Sequence, residues 1–231
     1  TSGQINGAQT FDGTNDFVSV PSSVDWAFGT GDFTISYWVR WNNTASYQVP
    51  LDGGYSSNAG LLIEYNAGTE VRVYTGNTLL GTVWNWNYTT GTWYHFVALR
   101  TGTSFKLFAN GVQIGSSVTN SKDITAATQL IGKYSGGELL NGSLDEFRIS
   151  NTARSAAWIA AEYKSESDGY NTYASQEERY VSSGTLTSNI FDAGSGHDWS
   201  TLSYTYTGSG TVAVKARSSN AVDMTGATAF S

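Results

Sequence analysis

The chain has 231 residues, of which 14% are aromatic, 13% are charged, 26 are glycine and none is cysteine. Its 12 basic and 19 acidic side chains give a net charge of −7, which disfavours nucleic acid as a partner because phosphate groups repel an acidic surface. No apolar run approaches the roughly 20 residues that span a bilayer, so we expect no membrane insertion, and without cysteine no disulfide or thiolate metal site can form.

Apolar and polar residues alternate in short runs separated by Gly, Asn and Asp, which is typical of the strands of an all-β sandwich. Asn110-Gly111 predicts a tight hairpin between two such runs, because both residue types tolerate a positive φ. The phase shift between Leu144 and Phe147 predicts a β-bulge. The clearest runs lie at residues 33–39, 71–73, 105–109 and 144–149.

One short helix and a linker follow these strands. Ser155 is a suitable N-cap for a helix over residues 155–163, in which Trp158 and Ile159 point the same way. Residues 164–179 are polar and have no period, which predicts a linker. Alternation resumes in residues 180–231, where we expect a second, smaller β domain that is cut short, so that the first domain covers residues 1–163.

Five segments occur in a fixed order: FDGTNDFVSV at 11–20, GDFTISYWV at 31–39, GTWYHFVA at 91–98, LFANGV at 107–112 and NGSLDEFRIS at 141–150. In this order they resemble the bacterial and archaeal laminin-G-like domains of the concanavalin A-like lectin/glucanase superfamily. The resemblance implies a jelly roll of two antiparallel sheets packed face to face. Residues 181–217 resemble a small β-sandwich module that follows such domains in surface and phage proteins.

The sequence predicts that this domain is not an enzyme. The resemblance implies that a glucanase of this superfamily would carry a motif similar to E-x-D-x-x-E. Its spacing puts two carboxylates on one strand face for glycoside hydrolysis. No such run occurs, and Asp145 and Glu146 are adjacent, so on a regular strand they point to opposite faces. His95 lies inside an apolar strand, where a structural role is expected, and His197 lies in a loop of the predicted second domain.

A calcium site is predicted from acidic side chains, because calcium prefers oxygen ligands at loop ends. Asp12 and Asp16 lie in one turn, while Asp145 and Glu146 lie in a late strand. The resemblance implies that the first and last strands pair, which would bring Asp16 near Asp145 or Glu146. The predicted metal ligands are therefore Asp12, Asp16, Asp145 and Glu146. The alternative is that Asp12 begins an ordinary turn and that Glu146 pairs with Arg148 or Arg154.

Aromatic side chains are the candidate glycan ligands, since sugar C–H faces stack on rings. Trp84, Trp86 and Tyr88 share one face of a predicted strand. Their rings form either a binding platform or part of the core, with Asn85 and Asn87 outside. A second group of tyrosines at loops or strand ends is able to line a groove: Tyr47, Tyr55, Tyr65, Tyr74 and Tyr134. The predicted ligand-binding residues are Trp84, Trp86, Tyr55 and Tyr134.

The leading hypothesis is a non-catalytic, calcium-stabilised binding or adhesion module that recognises a glycan or a protein surface and lies outside the cell or on its surface. One alternative is a self-associating structural subunit of a virion fibre, a virion decoration or a cell-surface filament. Another is an accessory domain of a secreted glycan-active enzyme.

Overall fold

The computed structural model describes residues 2–44, 47–55, 60–81 and 83–169, together with positions 205, 207, 211–215, 219 and 226. Its contacts divide the chain into two units, residues 1–173 and 174–231. The predicted second β domain, with His197, lies almost wholly outside the described residues.

The described residues of the first unit form thirteen strands, one 3-10 helix at Val24–Trp26 and one α-helix, α1, at Ala156–Glu166. The strands are β1 (Gln9–Asp12), β2 (Val18–Val20), β3 (Phe33–Trp41), β4 (Gln48–Asp52), β5 (Leu61–Asn66), β6 (Glu70–Thr75), β7 (Thr78–Leu79), β8 (Trp84–Asn85), β9 (Trp93–Thr101), β10 (Ser104–Ala109), β11 (Val112–Thr119), β12 (Gln129–Ile131) and β13 (Asn141–Ser150). Among the described residues, no helix is long and apolar enough to cross a bilayer.

These strands form two antiparallel sheets, which confirms the predicted sandwich. The six-stranded sheet has the order β1-β13-β3-β9-β10-β11. The seven-stranded sheet has the order β2-β12-β4-β5-β6-β7, and β8 pairs with β6. Alternate side chains of both sheets meet in one apolar core, because successive residues of a strand point to opposite faces.

Two predicted local features are confirmed. Asn110 and Gly111 have φ values of 50° and 78° in the turn that joins β10 to β11. The pairing of β13 with β3 shifts between Asp145 and Arg148, and Glu146 has a φ of 49°, so the predicted bulge lies there.

Helix α1 covers the outer face of the six-stranded sheet. The hydroxyl of Ser155 accepts a hydrogen bond from the backbone N–H of Trp158, as an N-cap does. Ile159 is fully buried against Val97, Leu99 and Phe108. Trp158 is 39% exposed, which differs from the expectation that it shares the direction of Ile159, because adjacent helical residues point about 100° apart. The helix also continues beyond residue 163 to Glu166.

Candidate functional site

The outer face of the seven-stranded sheet carries an unusual set of polar and aromatic side chains. On β5, Ile63 and Tyr65 belong to the core, so the side chain between them, Glu64, lies on the outer face. The same alternation on β6 places Arg72 and Tyr74 outward, and Glu64 pairs directly with Arg72 across the two strands. We call this surface the tyrosine–carboxylate face; it comprises Tyr47, Asp52, Tyr55, Glu64, Glu70, Arg72, Tyr74, Tyr134 and Glu138.

Three half-buried tyrosines form a connected cluster on this face. The ring centroid of Tyr55 lies 5.4 Å from that of Tyr74 and 5.4 Å from that of Tyr134, both in edge-to-face geometry. Tyr47 is 41% exposed, and the guanidinium carbon of Arg72 lies 5.7 Å from its ring centroid. The structure therefore brings together Tyr55 and Tyr134, two of the predicted ligand residues, and adds Tyr47 and Tyr74 beside them.

The buried carboxylate of Asp52 fixes the loops that carry Tyr55 and Tyr134. Its Oδ1 accepts hydrogen bonds from the backbone N–H groups of Gly54 and Tyr55, at 2.9 and 2.7 Å. Its Oδ2 accepts one from the backbone N–H of Ser135, at 2.9 Å. A single side chain at the end of β4 thus joins the loop after β4 to the loop after β12.

Several polar atoms of the face are buried without a partner. Glu64 is only 7% exposed, and its Oε1 has no hydrogen-bond partner among the residues that the structure describes, although a guanidinium nitrogen of Arg72 lies 3.8 Å away. Within the same described ranges, Nε of Arg72 and Oε2 of Glu138 are also buried and unpaired. Buried polar groups are normally hydrogen-bonded, so three such atoms on one face indicate positions for polar atoms of water or a ligand.

The carboxylates and phenols of this face share one electrostatic environment. Burial raises the pKa of Glu64; the positive charge of Arg72 lowers it and the negative charge of Glu138 raises it further, with a net increase. Burial and the charge of Glu64 raise the pKa of Tyr74. Burial, Tyr55 and Glu138 together raise the pKa of Tyr134. At neutral pH Tyr74 and Tyr134 therefore stay protonated and able to donate hydrogen bonds.

The predicted platform of Trp84 and Trp86 is corrected by the structure. Trp84 is 2% exposed, and its indole N–H donates to the backbone oxygen of Ser116 at 3.2 Å. Trp86 is half-buried against the core, with its ring centroid 5.9 Å from that of Trp41. Tyr88 stacks on Trp41 at 4.1 Å. The structure therefore agrees with the alternative interpretation, in which the rings of this run belong to the core and Asn85 and Asn87 are exposed.

The structure also does not bring the four predicted calcium ligands together. Strands β1 and β13 do pair, but Asp12 lies opposite Asn141, four residues from Asp145 along the strand, or about 13 Å. Oδ1 of Asp12 accepts hydrogen bonds from the backbone N–H groups of Thr14 and Asn15, as in an ordinary turn. These bonds, the one from Thr14 above all, lower the pKa of Asp12.

The other two predicted ligands are occupied by protein groups. Asp145 accepts hydrogen bonds from the backbone N–H groups of Ile5 and Glu146, and Glu146 forms an ion pair with Arg148. Among the described residues, no three His, Asp or Glu side chains form a group able to hold a metal ion. Asp12, Asp16, Asp145 and Glu146 therefore do not fit one calcium site.

A groove of about 840 Å³ lies beside α1 on the other sheet. Its walls include Trp158, Arg154 and Arg148, but Arg148 is bonded to Glu162 and Glu166, at 3.1 and 2.5 Å. His95 is 1% exposed beneath the helix, with its Nε2 3.3 Å from Oε2 of Glu162. Nδ1 and Nε2 of His95 and Oε2 of Glu162 are buried here without a hydrogen-bond partner among the described residues. What distinguishes the tyrosine–carboxylate face from this region is therefore its cluster of tyrosine rings beside the unpaired atoms.

Glu64, Arg72 and Glu138 are not among the site residues predicted from the sequence. The signal for the first two was present, because alternation in residues 61–75 marks them as outward positions of neighbouring strands. Outward polar residues of a strand are ordinarily solvated, so the pattern alone gave no reason to select them. Only the folded domain places Tyr134 and Glu138, from a distant segment of the chain, close to Glu64.

The family of this chain follows from the match of a family model, Laminin_G_3 of the concanavalin A-like lectin/glucanases superfamily, to residues 12–160, more than half of the chain. The chain belongs to the Laminin_G_3 family. This confirms the resemblance based on the five segments. Comparison of this Laminin_G_3 chain with curated proteins gives no match.

Solved structures with the same fold include three from bacterial enzymes and toxins. Domain 4 of AbnA, a GH43 extracellular arabinanase from Geobacillus stearothermophilus in complex with arabinotriose, has a TM-score of 0.56 and 18% identity, covering 70% of this Laminin_G_3 chain and 78% of that chain. The binding domain of Paraclostridial Mosquitocidal Protein 1 has a TM-score of 0.58 and 15% identity, with coverages of 71% and 45%.

A structure of botulinum neurotoxin type C, concerned with its interaction with two ganglioside molecules, has a TM-score of 0.53 and 15% identity, with coverages of 69% and 45%. This Laminin_G_3 chain thus spans less than half of either toxin chain. At these identities the similarity shows a shared fold.

Proposed function

We propose that this domain is a non-catalytic glycan-binding module and that the tyrosine–carboxylate face is its binding site. The observation that carries the proposal is the presence of three buried, unpaired polar atoms, on Glu64, Arg72 and Glu138, beside a cluster of tyrosine rings. A sugar has both kinds of complementary group: hydroxyls for the polar atoms and C–H faces for the rings.

The chemistry of the face matches a polyhydroxylated ligand. The free oxygens of Glu64 and Glu138 accept hydrogen bonds from sugar hydroxyls, and the guanidinium of Arg72 donates one. The phenol groups act as both donors and acceptors. A ligand that completes these bonds removes the cost of leaving the three atoms buried and unpaired, which is about 1–3 kcal/mol for each group.

The structural comparisons support the same function class. The arabinanase domain is in complex with arabinotriose, and the neurotoxin structure concerns interaction with gangliosides, which are glycolipids. These similarities concern the fold, so they favour glycan binding as a class and do not select a sugar.

The test is a glycan array followed by calorimetry on the best ligand. We expect Tyr74→Ala and Tyr134→Ala each to weaken binding about tenfold or more. Stacking of a sugar on the tyrosine ring contributes about 1 kcal/mol, and the hydrogen bonds of the phenol group add to it. Trp158→Ala is the matched control, because this exposed ring lies on α1 beside the other sheet. Loss of binding in the control alone would move the site to the groove beside α1, and binding to no glycan would reject the proposal.

Two further assays address catalysis and calcium. We expect no release of reducing sugars from the bound glycans; release would make the domain a hydrolase. We also expect binding to persist in EDTA, because hydrogen bonds from backbone N–H groups to Asp52 hold the loops of the face. Loss of binding in EDTA, with recovery on adding calcium, would support the prediction of a calcium site. Its ligands would then differ from the predicted set of four acidic residues.

An accessory domain of a secreted glycan-active enzyme is the second candidate function. It is favoured by the similarity to domain 4 of the arabinanase, of which this chain covers 78%. The domain order of the full-length gene tests it. The self-associating structural subunit stays a prediction, for which sedimentation velocity is the test: a strict monomer that binds glycan contradicts it.

A further inference from the structure

Building on the proposed function, we infer that the tyrosine–carboxylate face selects uncharged glycans and rejects glycans that carry carboxylate or sulfate groups. Glu64 and Glu138 are the residues that determine this selectivity. The inference rests on the balance of charge on the face and on the kind of unpaired atom that it presents.

The face has more negative than positive side chains. Its carboxylates are those of Asp52, Glu64, Glu70 and Glu138, and its cation is Arg72. That guanidinium is already paired, since it lies 2.9 Å from Oε2 of Glu70 and 3.8 Å from Oε1 of Glu64.

A neighbouring cation is engaged elsewhere. The ammonium group of Lys133, next to Tyr134, lies 4.5 Å from the ring centroid of Phe17, before the edge strand β2. An anionic group of a ligand would therefore have to compete with Glu64 and Glu70 for the charge of Arg72, although Nε of Arg72 can still donate a hydrogen bond. The net charge of −7 on the whole chain adds to the repulsion at longer range.

The unpaired atoms call for hydrogen-bond donors. Oε1 of Glu64 and Oε2 of Glu138 are acceptors, whereas Nε of Arg72 is the unpaired donor among the described residues of the face. A sugar hydroxyl supplies a donor to each carboxylate. A ligand carboxylate supplies none and would bring a further negative charge beside the buried carboxylate of Glu64, where like charges repel more strongly than in bulk solvent. The raised pKa of Glu64, caused by burial and in part by Glu138, agrees with a face where negative charge is already unfavourable.

Matched trisaccharides test the inference, with sugar and linkage kept and only the primary alcohol oxidised to a carboxylate. The pairs are galactotriose with trigalacturonate, mannotriose with trimannuronate and cellotriose with triglucuronate; arabinotriose serves as a further neutral probe. For a pair whose neutral member binds at pH 7 and low salt, we expect the oxidised member to bind about tenfold or more weakly. Added salt should reduce the ratio, because it screens the repulsion.

Charge-neutralising variants assign the selectivity to its residues. We expect Glu64→Gln and Glu138→Gln each to lower the ratio of neutral to charged affinity, and the double variant to bring it close to one. Glu146→Gln is the matched control, an acidic residue of the other sheet that is paired with Arg148, and should leave the ratio unchanged.

The outcomes separate this inference from the proposed function. If no glycan binds, the proposed function fails. If glycans bind but the oxidised members bind as tightly as the neutral ones, the selectivity fails and the function stands. An unchanged ratio in both Gln variants, folded by circular dichroism, would overturn the role of Glu64 and Glu138; if either variant does not fold, the ratio and its salt dependence in the natural chain decide.

Discussion

Glu64 is a carboxylate held where its charged form is disfavoured. It lies on an outward position of β5, yet it is only 7% exposed, and its partner Arg72 is shared with Glu70. The pKa of Glu64 is consequently raised above its ordinary value of 4.5, and burial is the largest cause. Such a group is tolerated at a binding site, where a ligand can supply the missing hydrogen bond.

This shift predicts a pH-dependent effect of Glu64→Gln on stability. As the pH rises from about 4.5, the unfolded chain releases the Glu64 proton before the folded chain does. The free energy of unfolding therefore falls until the pH passes the pKa of Glu64 in the folded chain. Above that pH the free energy of unfolding stays at the lower value. We expect Glu64→Gln to unfold at a higher temperature than the natural chain at pH 7, with the difference vanishing near pH 4. Thermal melts across this pH range are the measurement.

Glu70→Gln is the control with the opposite sign. Hydrogen bonds from Asn66 and then Arg72 lower the pKa of Glu70, so its contribution to stability is present at neutral pH and is lost in acid. We expect this variant to be less stable than the natural chain at pH 7. A lower melting temperature for Glu64→Gln at pH 7 would contradict the unfavourable burial of its charge.

At the scale of elements, α1 is the cover of the six-stranded sheet. Strand β3 is buried along almost its whole length because the second sheet packs on one side of it and α1 on the other. The helix adds polar anchors: Glu166 accepts a hydrogen bond from the indole N–H of Trp38 at 2.6 Å and pairs with Arg148. These contacts explain why the helix runs beyond residue 163, where its own sequence gives no strong reason to continue.

Ile159→Ala tests how much this cover stabilises the domain. The side chain is fully buried among Val97, Leu99 and Phe108, so its truncation leaves a cavity and should lower the free energy of unfolding by about 3 kcal/mol. Lys164→Ala, at an exposed position of the same helix, should change it by less than about 0.5 kcal/mol. Urea denaturation measures both; an equal effect of the two variants would mean that the helix packs only loosely on the sheet.

At the scale of the whole molecule, the two apolar clusters lie within residues 11–159, inside the first unit. A fragment of residues 1–173 keeps all of these contacts. We expect it to unfold cooperatively, with a midpoint temperature within about 2 °C of that of the full chain. A loss of about 1 kcal/mol of stability would already lower the midpoint of a domain of this size by roughly 2 °C or more. A clearly lower midpoint in calorimetry would show that residues 174–231 stabilise the sandwich.

The sequence determined the features that depend on local spacing. Alternation with a period of two predicted the strands at residues 33–39, 71–73, 105–109 and 144–149. Asn110-Gly111 predicted the hairpin, the phase shift after Leu144 the bulge, and Ser155 the start of the helix. Each of these needs only neighbouring residues, because side-chain direction in a strand and φ in a turn are properties of a few consecutive positions. Five ordered segments were also sufficient for the family.

Only the tertiary structure decided which distant residues meet. The register of β1 on β13 placed Asp12 opposite Asn141 and away from Asp145, so a correct strand pairing still gave the wrong neighbours. Contacts with Trp41 place Trp86 and Tyr88 against the core, whereas the spacing of the run that begins at Trp84 allowed its rings to face either the core or solvent. Asp52 joined two loops that the sequence treats as unrelated, which assembled the tyrosine cluster. Contacts between residues far apart in the chain depend on register and loop paths, and these are set by the packing of the whole sandwich.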